Sequence, residues 1–191
     1  MELRDVRTAP PEFRRAAARI SLLLVAEALR SVHTVVTTVT TPLGPAEGRV
    51  VRTDIVVVPV LRAGLSMMDA VLQLAPSARV GHIGLQRDET TAVAARYYSK
   101  LPSDIGDSHV VMVDPMLATG GSSAAAIDLV KAAGARSIAL VCVISAPEGV
   151  AFLQKAHPDV DIYTPVVDRE LNAHKFIVPG LGDFGDRLYG T

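Results

Sequence analysis

From Asp54 onward, short apolar runs alternate with stretches in which apolar residues recur every three or four positions. Ile55–Val60, Arg79–Leu85, Val110–Val113, Ser137–Ile144 and Asp161–Thr164 read as strands. Those without polar alternation suit strands buried on both faces. A helix through Met67, Met68, Val71 and Leu72, another at Ser123–Ala133 and a short one at Pro147–Ala156 fall between them. The alternation predicts an α/β protein with a mainly parallel sheet flanked by helices. Ahead of it, Pro10–Arg30 predicts one long helix: Pro11 suits a first turn, and Phe13, Ala17, Ile20, Leu24 and Ala28 share a face. Val32–Thr41 alternates β-branched residues and ends in a turn at Pro42–Pro45.

Two stretches break the pattern. Arg87–Lys100 is polar and predicts a hairpin or mobile arm, one able to fold over a site as a lid. Phe176–Thr191 is too rich in glycine to stay regular for long. No linker, repeat or low-complexity segment divides the 191 residues, so a single domain over 1–191 is expected, with a helix and strand in 1–40, the arm in 87–100 and a terminal segment at 165–191.

Composition narrows the class. Hydrophobic content is 49% and aromatic content 4%, so the core is built from Ala, Val, Leu and Ile. A net charge of −1 offers no global field for nucleic acid or an anionic membrane, so any anion site has to be local. One cysteine, Cys142, allows no disulfide within the chain and fits a reducing cytoplasm. There is neither an apolar stretch of membrane-spanning length nor a signal-peptide pattern at the start. The five histidines show no metal spacing.

The candidate chemistry sits between His109 and Gly134. A strand ends at Asp114, a loop carries Thr119-Gly120-Gly121-Ser122, and a helix follows, with Ser122 or Ser123 as its expected N-cap and Gly134 at its end. Glycines bring backbone N–H groups close to a ligand, and a helix N-terminus adds unpaired donors and a positive dipole end, which suits a phosphate. Arg62-Ala63-Gly64 also follows a strand and opens a helix, and Arg87 follows another. Ligands of open α/β sheets bind beyond the carboxyl ends of the strands, so Arg62, Arg87 and Asp114 are expected around one crevice.

The string Asp114-Pro115-Met116-Leu117-Ala118-Thr119-Gly120-Gly121-Ser122 resembles the phosphoribosyl-diphosphate (PRPP) motif of the phosphoribosyltransferases, in the form found in uracil phosphoribosyltransferases. VVVPVLRAGLSMM resembles the pyrophosphate loop of that family, and FIVPGLGDFGDRLYGT its base-binding segment. The resemblance runs from about Thr41 to Thr191, and the chain is expected to lack the segment with which the family usually opens. It implies transfer of a 5-phosphoribosyl group from PRPP to N1 of uracil, giving UMP and pyrophosphate. It also implies a PRPP site made of Arg62, Ala63, Gly64, Arg87, residues 114–122 and Asp183. Arg62 and Arg87 would meet pyrophosphate, the 118–122 loop the 5′-phosphate, and Asp114 the ribose and its developing positive charge. Arg62 and Asp114 are thus the expected catalytic pair.

Uracil would be framed by backbone groups of Ile177, Gly182, Asp183 and Phe184. Where most phosphoribosyltransferases carry two adjacent acidic residues, this chain has Asp114-Pro115, as the uracil branch does, so Mg²⁺ is expected to be held through PRPP and water with no protein ligand. A homodimer or higher homo-oligomer is implied, and in some relatives a GTP activator site. Phe176 stands where tyrosine is common and Phe184 where alanine is common; a bulky Phe184 is expected to narrow the base pocket. Three alternatives stay open at this point: transfer to another base, a pyrimidine-responsive RNA-binding regulator, and a catalytically silent nucleotide-binding module.

Overall fold

The computed structural model describes the backbone of residues 1–87 and 94–191. Helix α1 (Pro10–Ala28) has proline in its first turn and gives way to a 3-10 turn, Leu29–Ser31, so the expected helix to Arg30 ends two residues early. Its buried stripe includes Phe13, Ala17, Leu24 and Ala28. Strands β1 (Thr34–Thr41) and β2 (Gly44–Val51) form an antiparallel hairpin with no buried residue. The second strand was not expected, because Gly44, Pro45 and Gly48 carry little strand propensity; pairing along the whole length of β1 supplies what propensity lacks.

The body comprises β3 (Ile55–Leu61), α2 (Leu65–Leu74), β4 (Arg79–Val80), β5 (His82–Arg87), β6 (Ala94–Lys100), β7 (His109–Val113), β8 (Met116–Leu117), α3 (Gly121–Ala132), β9 (Ser137–Val141), β10 (Ile144–Ser145), α4 (Pro147–Ala156), β11 (Asp161–Tyr163), β12 (Glu170–Leu171), β13 (Ile177–Val178) and α5 (Phe184–Tyr189). Its central sheet runs β11-β9-β7-β3-β5-β6, parallel except for the edge strand β6. The sheet confirms the α/β expectation. Two expected strands are divided. Gly81 separates β4 from β5 while its N–H bonds the Val57 carbonyl at 2.9 Å. The 137–144 run leaves the sheet at Cys142 and re-forms as β10, which pairs in parallel with β8 beside the crevice.

Burial follows the two-residue period of the strands. Ile55, Val57, Val111, Val113 and Val141 face a core closed by α1, α2 and α5. Val56, Val58, Val60, Val110, Met112 and Leu140 face a second core closed by α3. Each such aliphatic side chain contributes roughly 1.5–3 kcal/mol when fully buried, and burial on both faces explains why these strands read as unbroken apolar runs. From β3 the chain moves to β5 on one side, and from β7 to β9 and β11 on the other. The order therefore switches between β3 and β7, and ligands of open α/β sheets bind beyond the strand ends at such a switch.

Candidate functional site

Arg62 and Asp114 follow the adjacent strands β3 and β7, and Arg87 ends β5 on the other side of β3. The Leu61–Arg62 peptide bond is cis. Arg62 is exposed, Ala63 half-buried and Gly64 buried. A Cβ on Gly64 would press on the backbone of Val60 and Val113. The close approach that requires glycine here is thus to the protein's own strands, and it sets the Arg62 turn beside the end of β7. The side chain of Arg87 and the tip of the expected arm, 88–93, lie outside the described residues.

Asp114 keeps partial solvent access, yet burial of its carboxyl pushes its pKa up to about 7, opposed by a hydrogen bond from the Met116 N–H at 3.3 Å. The loop after it is stapled at its middle. β8 pairs with β10, and the Ala146 N–H donates to the Leu117 carbonyl at 2.8 Å. Ala118 and Thr119 then lead to Gly120, whose φ of 83° lies in the left-handed region. Gly120, not a serine, is the N-cap of α3; Ser122 and Ser123 fall inside the helix and make no capping bond. The helix begins earlier than expected because only a glycine reverses the chain sharply enough at this point. Among the described residues the first-turn N–H groups of Gly121, Ser122 and Ser123 have no backbone acceptor, Gly121 making only a long 3.5 Å contact to Thr119 Oγ1. They form a ready anion cradle. α3 ends as expected, with Gly134 at φ 105°.

Helix α4 braces this loop, a role absent from the sequence reading. A Cβ on Gly149 would collide with the carbonyls of Leu117 and Ala118, and one on Gly120 would lie 2.9 Å from the ring of Phe152. Glu148, at the same end of α4, accepts a hydrogen bond from the Leu171 N–H at 2.9 Å and so ties α4 to β12.

β12 pairs with β13 across a turn held by the Asn172 carboxamide, which accepts from the N–H groups of His174 (2.9 Å) and Phe176 (3.0 Å). After β13 come a cis Val178–Pro179 bond, Gly180 (φ 61°), Gly182 (φ 81°) and α5. Asp183 caps α5 by accepting from the Asp186 N–H at 2.9 Å. The terminal segment is therefore more regular than expected. Tyr189 at the end of α5 donates to the Arg62 carbonyl at 3.3 Å, and its ring centre lies 5.9 Å from the guanidinium carbon. The terminal segment thus reaches the crevice directly.

Gly182 and Asp183 are exposed and Ile177 is buried. Phe184 overturns one expectation: its ring is buried against Phe13, centres 5.0 Å apart and nearly edge-on, so it fills core and does not narrow a pocket. Among the described residues no group of three or more His, Cys, Asp or Glu is placed to hold a metal, and no helix is long and apolar enough to cross a membrane. Sequence reasoning also missed Arg4 and Asp168, which hold the terminal segment from outside the crevice.

The family model for uracil phosphoribosyltransferase matches residues 1–191, so the likeness extends through the amino-terminal part as well. A uracil phosphoribosyltransferase from Dictyoglomus thermophilum is 54% identical over all of this chain and 92% of its own length. One from Clostridium perfringens is 50% identical over 99% and 91%. A solved structure of an Aquifex aeolicus protein superposes with a TM-score of 0.92 at 37% identity, covering 99% of this chain and 91% of that one. A hypoxanthine-guanine phosphoribosyltransferase from Bacillus anthracis superposes at 0.56 with 12% identity over 83% and 80%, a likeness of fold alone.

Proposed function

The chain belongs to the uracil phosphoribosyltransferase family, and from that premise we propose how its residues move the 5-phosphoribosyl group of PRPP onto N1 of uracil, giving UMP and pyrophosphate. The observation that carries the reading is the meeting of three elements at the β3/β7 switch: the Arg62 turn, Asp114 with the loop to Gly120, and the terminal segment resting on Arg62 through Tyr189.

The N–H groups at the start of α3, from Gly121 to Ser123, hold the 5′-phosphate beside the glycine turn, with the helix dipole in support. Arg62 offers a forked donor to pyrophosphate, and Arg87 a second. As the bond from C1′ to the pyrophosphate oxygen breaks, its electron pair leaves with pyrophosphate and the ribose gains oxocarbenium character. Asp114 answers that charge. Burial makes its carboxylate costly to ionise alone, so it gains most when a positive charge develops beside it. Uracil N1 then closes on C1′, and its acidic N–H gives up the proton to water or a pyrophosphate oxygen.

One half-buried carboxylate at Asp114, with no cluster of ligating side chains around it among the described residues, fits a hard cation that brings its own ligands. Mg²⁺ carried by PRPP would neutralise the leaving pyrophosphate, and Asp114 is the crevice carboxylate that would accept hydrogen bonds from its water shell. Uracil presents acceptor, donor and acceptor along O2, N3–H and O4, an order that backbone groups of Ile177 and the 182–184 turn can match. The same reading includes a cytoplasmic location and a homodimer or higher homo-oligomer, the latter supported by the β1–β2 hairpin, on which one chain buries no residue. Activation by GTP is testable in the same assay.

The test is UMP formation from PRPP with four bases. Uracil and 5-fluorouracil should turn over, while cytosine should fall short by roughly 10⁴-fold in kcat/KM, as mispaired hydrogen-bonding groups demand, and hypoxanthine should be excluded by its size. Cytosine or hypoxanthine within tenfold of uracil would defeat backbone readout of the base.

A further inference from the structure

The base segment is anchored from outside the crevice by residues at the opposite end of the sequence. Arg4 makes a two-pronged bond to Asp168, Nη1 to Oδ2 and Nη2 to Oδ1, each 2.7 Å. The same Nη1 donates to the Gly180 carbonyl at 2.9 Å, and the Gly180 N–H donates to Asp168 Oδ2 at 2.8 Å. Both backbone groups of Gly180 are thus held by one ion pair, in which the Asp168 side chain is only 6% exposed. The next carbonyl, Leu181, accepts from Arg187 Nη1 at 2.8 Å. Arg187 also bonds the carbonyls of Leu3 and Asp5 and lies over the Phe13 ring at 4.5 Å.

A trans peptide unit is planar, with its N–H antiparallel to its C=O. Gripping the carbonyls of Gly180 and Leu181 therefore turns the N–H groups of Leu181 and Gly182 away from the two arginines. Neither has an acceptor among the described residues. A glycine backbone at φ 61° and another at φ 81° would not hold such an orientation unaided.

We propose that Arg4 and Asp168, with Arg187 bound to the carbonyls of Leu3 and Asp5, form a positioning clamp that aims the backbone of residues 180–182 at the base and so sets affinity for uracil without touching either substrate. The proposal rests on the reading that the 177–184 segment holds the base. Charge-assisted, forked hydrogen bonds have the stiffness this role needs.

The experiment is steady-state kinetics of Arg4→Ala, Arg4→Lys and Asp168→Asn, run well below each variant's melting temperature, with Gly182→Val as a direct perturbation of the segment. The clamp predicts a KM for uracil raised about tenfold in Arg4→Ala and Asp168→Asn, less in Arg4→Lys, which keeps the charge and loses the fork. KM for PRPP should stay within twofold. A purely structural role would raise both constants together in step with lost stability, and that outcome overturns the clamp. So does an unchanged uracil KM in folded Arg4→Ala. If Arg4→Ala does not fold, Arg4→Lys carries the same criterion. An unchanged uracil KM in Gly182→Val would instead defeat the placement of the base, which separates the two failures.

Discussion

The two halves of the crevice are built by opposite means. The half proposed for the 5′-phosphate is local: residues 114–122 run consecutively from the end of β7 to the first turn of α3, and one strand, one turn and one helix dipole create its chemistry. The half proposed for the base is assembled over long distances. Its 180–182 backbone is held by Arg4, by Asp168 and by an Arg187 that is itself bonded to Leu3 and Asp5. A local site gains rigidity from secondary structure, whereas an irregular segment has to borrow it. The difference predicts which parameter each substitution will move.

The largest effect should come from Gly120→Val. The position has φ 83°, and a Cβ there would meet Phe152 and the Gly149 carbonyl. Strain of this kind costs of order 1–3 kcal/mol and displaces the N–H cradle. PRPP affinity should fall at least about 100-fold, since a small misplacement of binding groups costs that much. The folded state should survive by circular dichroism. Retained PRPP affinity in a calorimetric titration would remove this loop from the phosphate site.

Asp114→Asn should act next most strongly and should split activity from stability. Turnover should drop roughly 100-fold, the scale of losing one preorganised electrostatic group, with PRPP affinity changed far less. The free protein should respond the other way. Burial lifts the folded-state pKa to about 7, against about 3.9 in an unfolded chain. The carboxyl therefore lowers stability progressively as pH climbs from about 4 to about 7, and the whole penalty is present above that. Partial exposure screens a shift of about three units to an expected gain of about 1–2 kcal/mol for Asp114→Asn at pH 8. The gain should vanish below pH 4. Urea denaturation of both proteins at the two pH values checks the sign.

A third substitution tests whether the halves are independent. Gly149→Ala would push α4 against the carbonyls of Leu117 and Ala118. It should raise KM for PRPP roughly tenfold and leave KM for uracil within twofold, the reverse of the clamp variants. Equal changes in both constants would mean that α4, through the Glu148–Leu171 bond, couples the two sites.

The same contrast explains what was legible in the sequence. The parallel sheet was readable because strands buried on both faces leave unbroken apolar runs, as at Val56–Val58 and Val110–Val113. The loop at 114–122 was readable because its glycines and flanking elements are contiguous. Its start was misplaced because a serine signals a cap locally, while the left-handed turn at Gly120 depends on α4 lying against it. β2 was invisible because its pairing with β1, not its composition, makes it a strand. Arg4 and Asp168 could not be found from spacing: 164 positions separate them, and nothing local marks either as other than a solvated charge.

The smallest kinetic effect is expected at Phe184, which the sequence alone placed as a bulky residue narrowing the base pocket. Bulk at this position matters to the base only if the ring lines the pocket, and the ring is 1% exposed and packed on Phe13 at 5.0 Å. In the proposed reading uracil meets only the backbone at this position, not the ring. Phe184→Leu should therefore lower stability by about 1–2 kcal/mol, from lost volume and the aromatic pair, and leave the ratio of kcat/KM for uracil over cytosine unchanged within a factor of two. Thermal melts and competition between the two bases measure both quantities on one preparation. A tenfold change in discrimination with an unaltered melting temperature would return Phe184 to the pocket wall and make the base half a side-chain site after all.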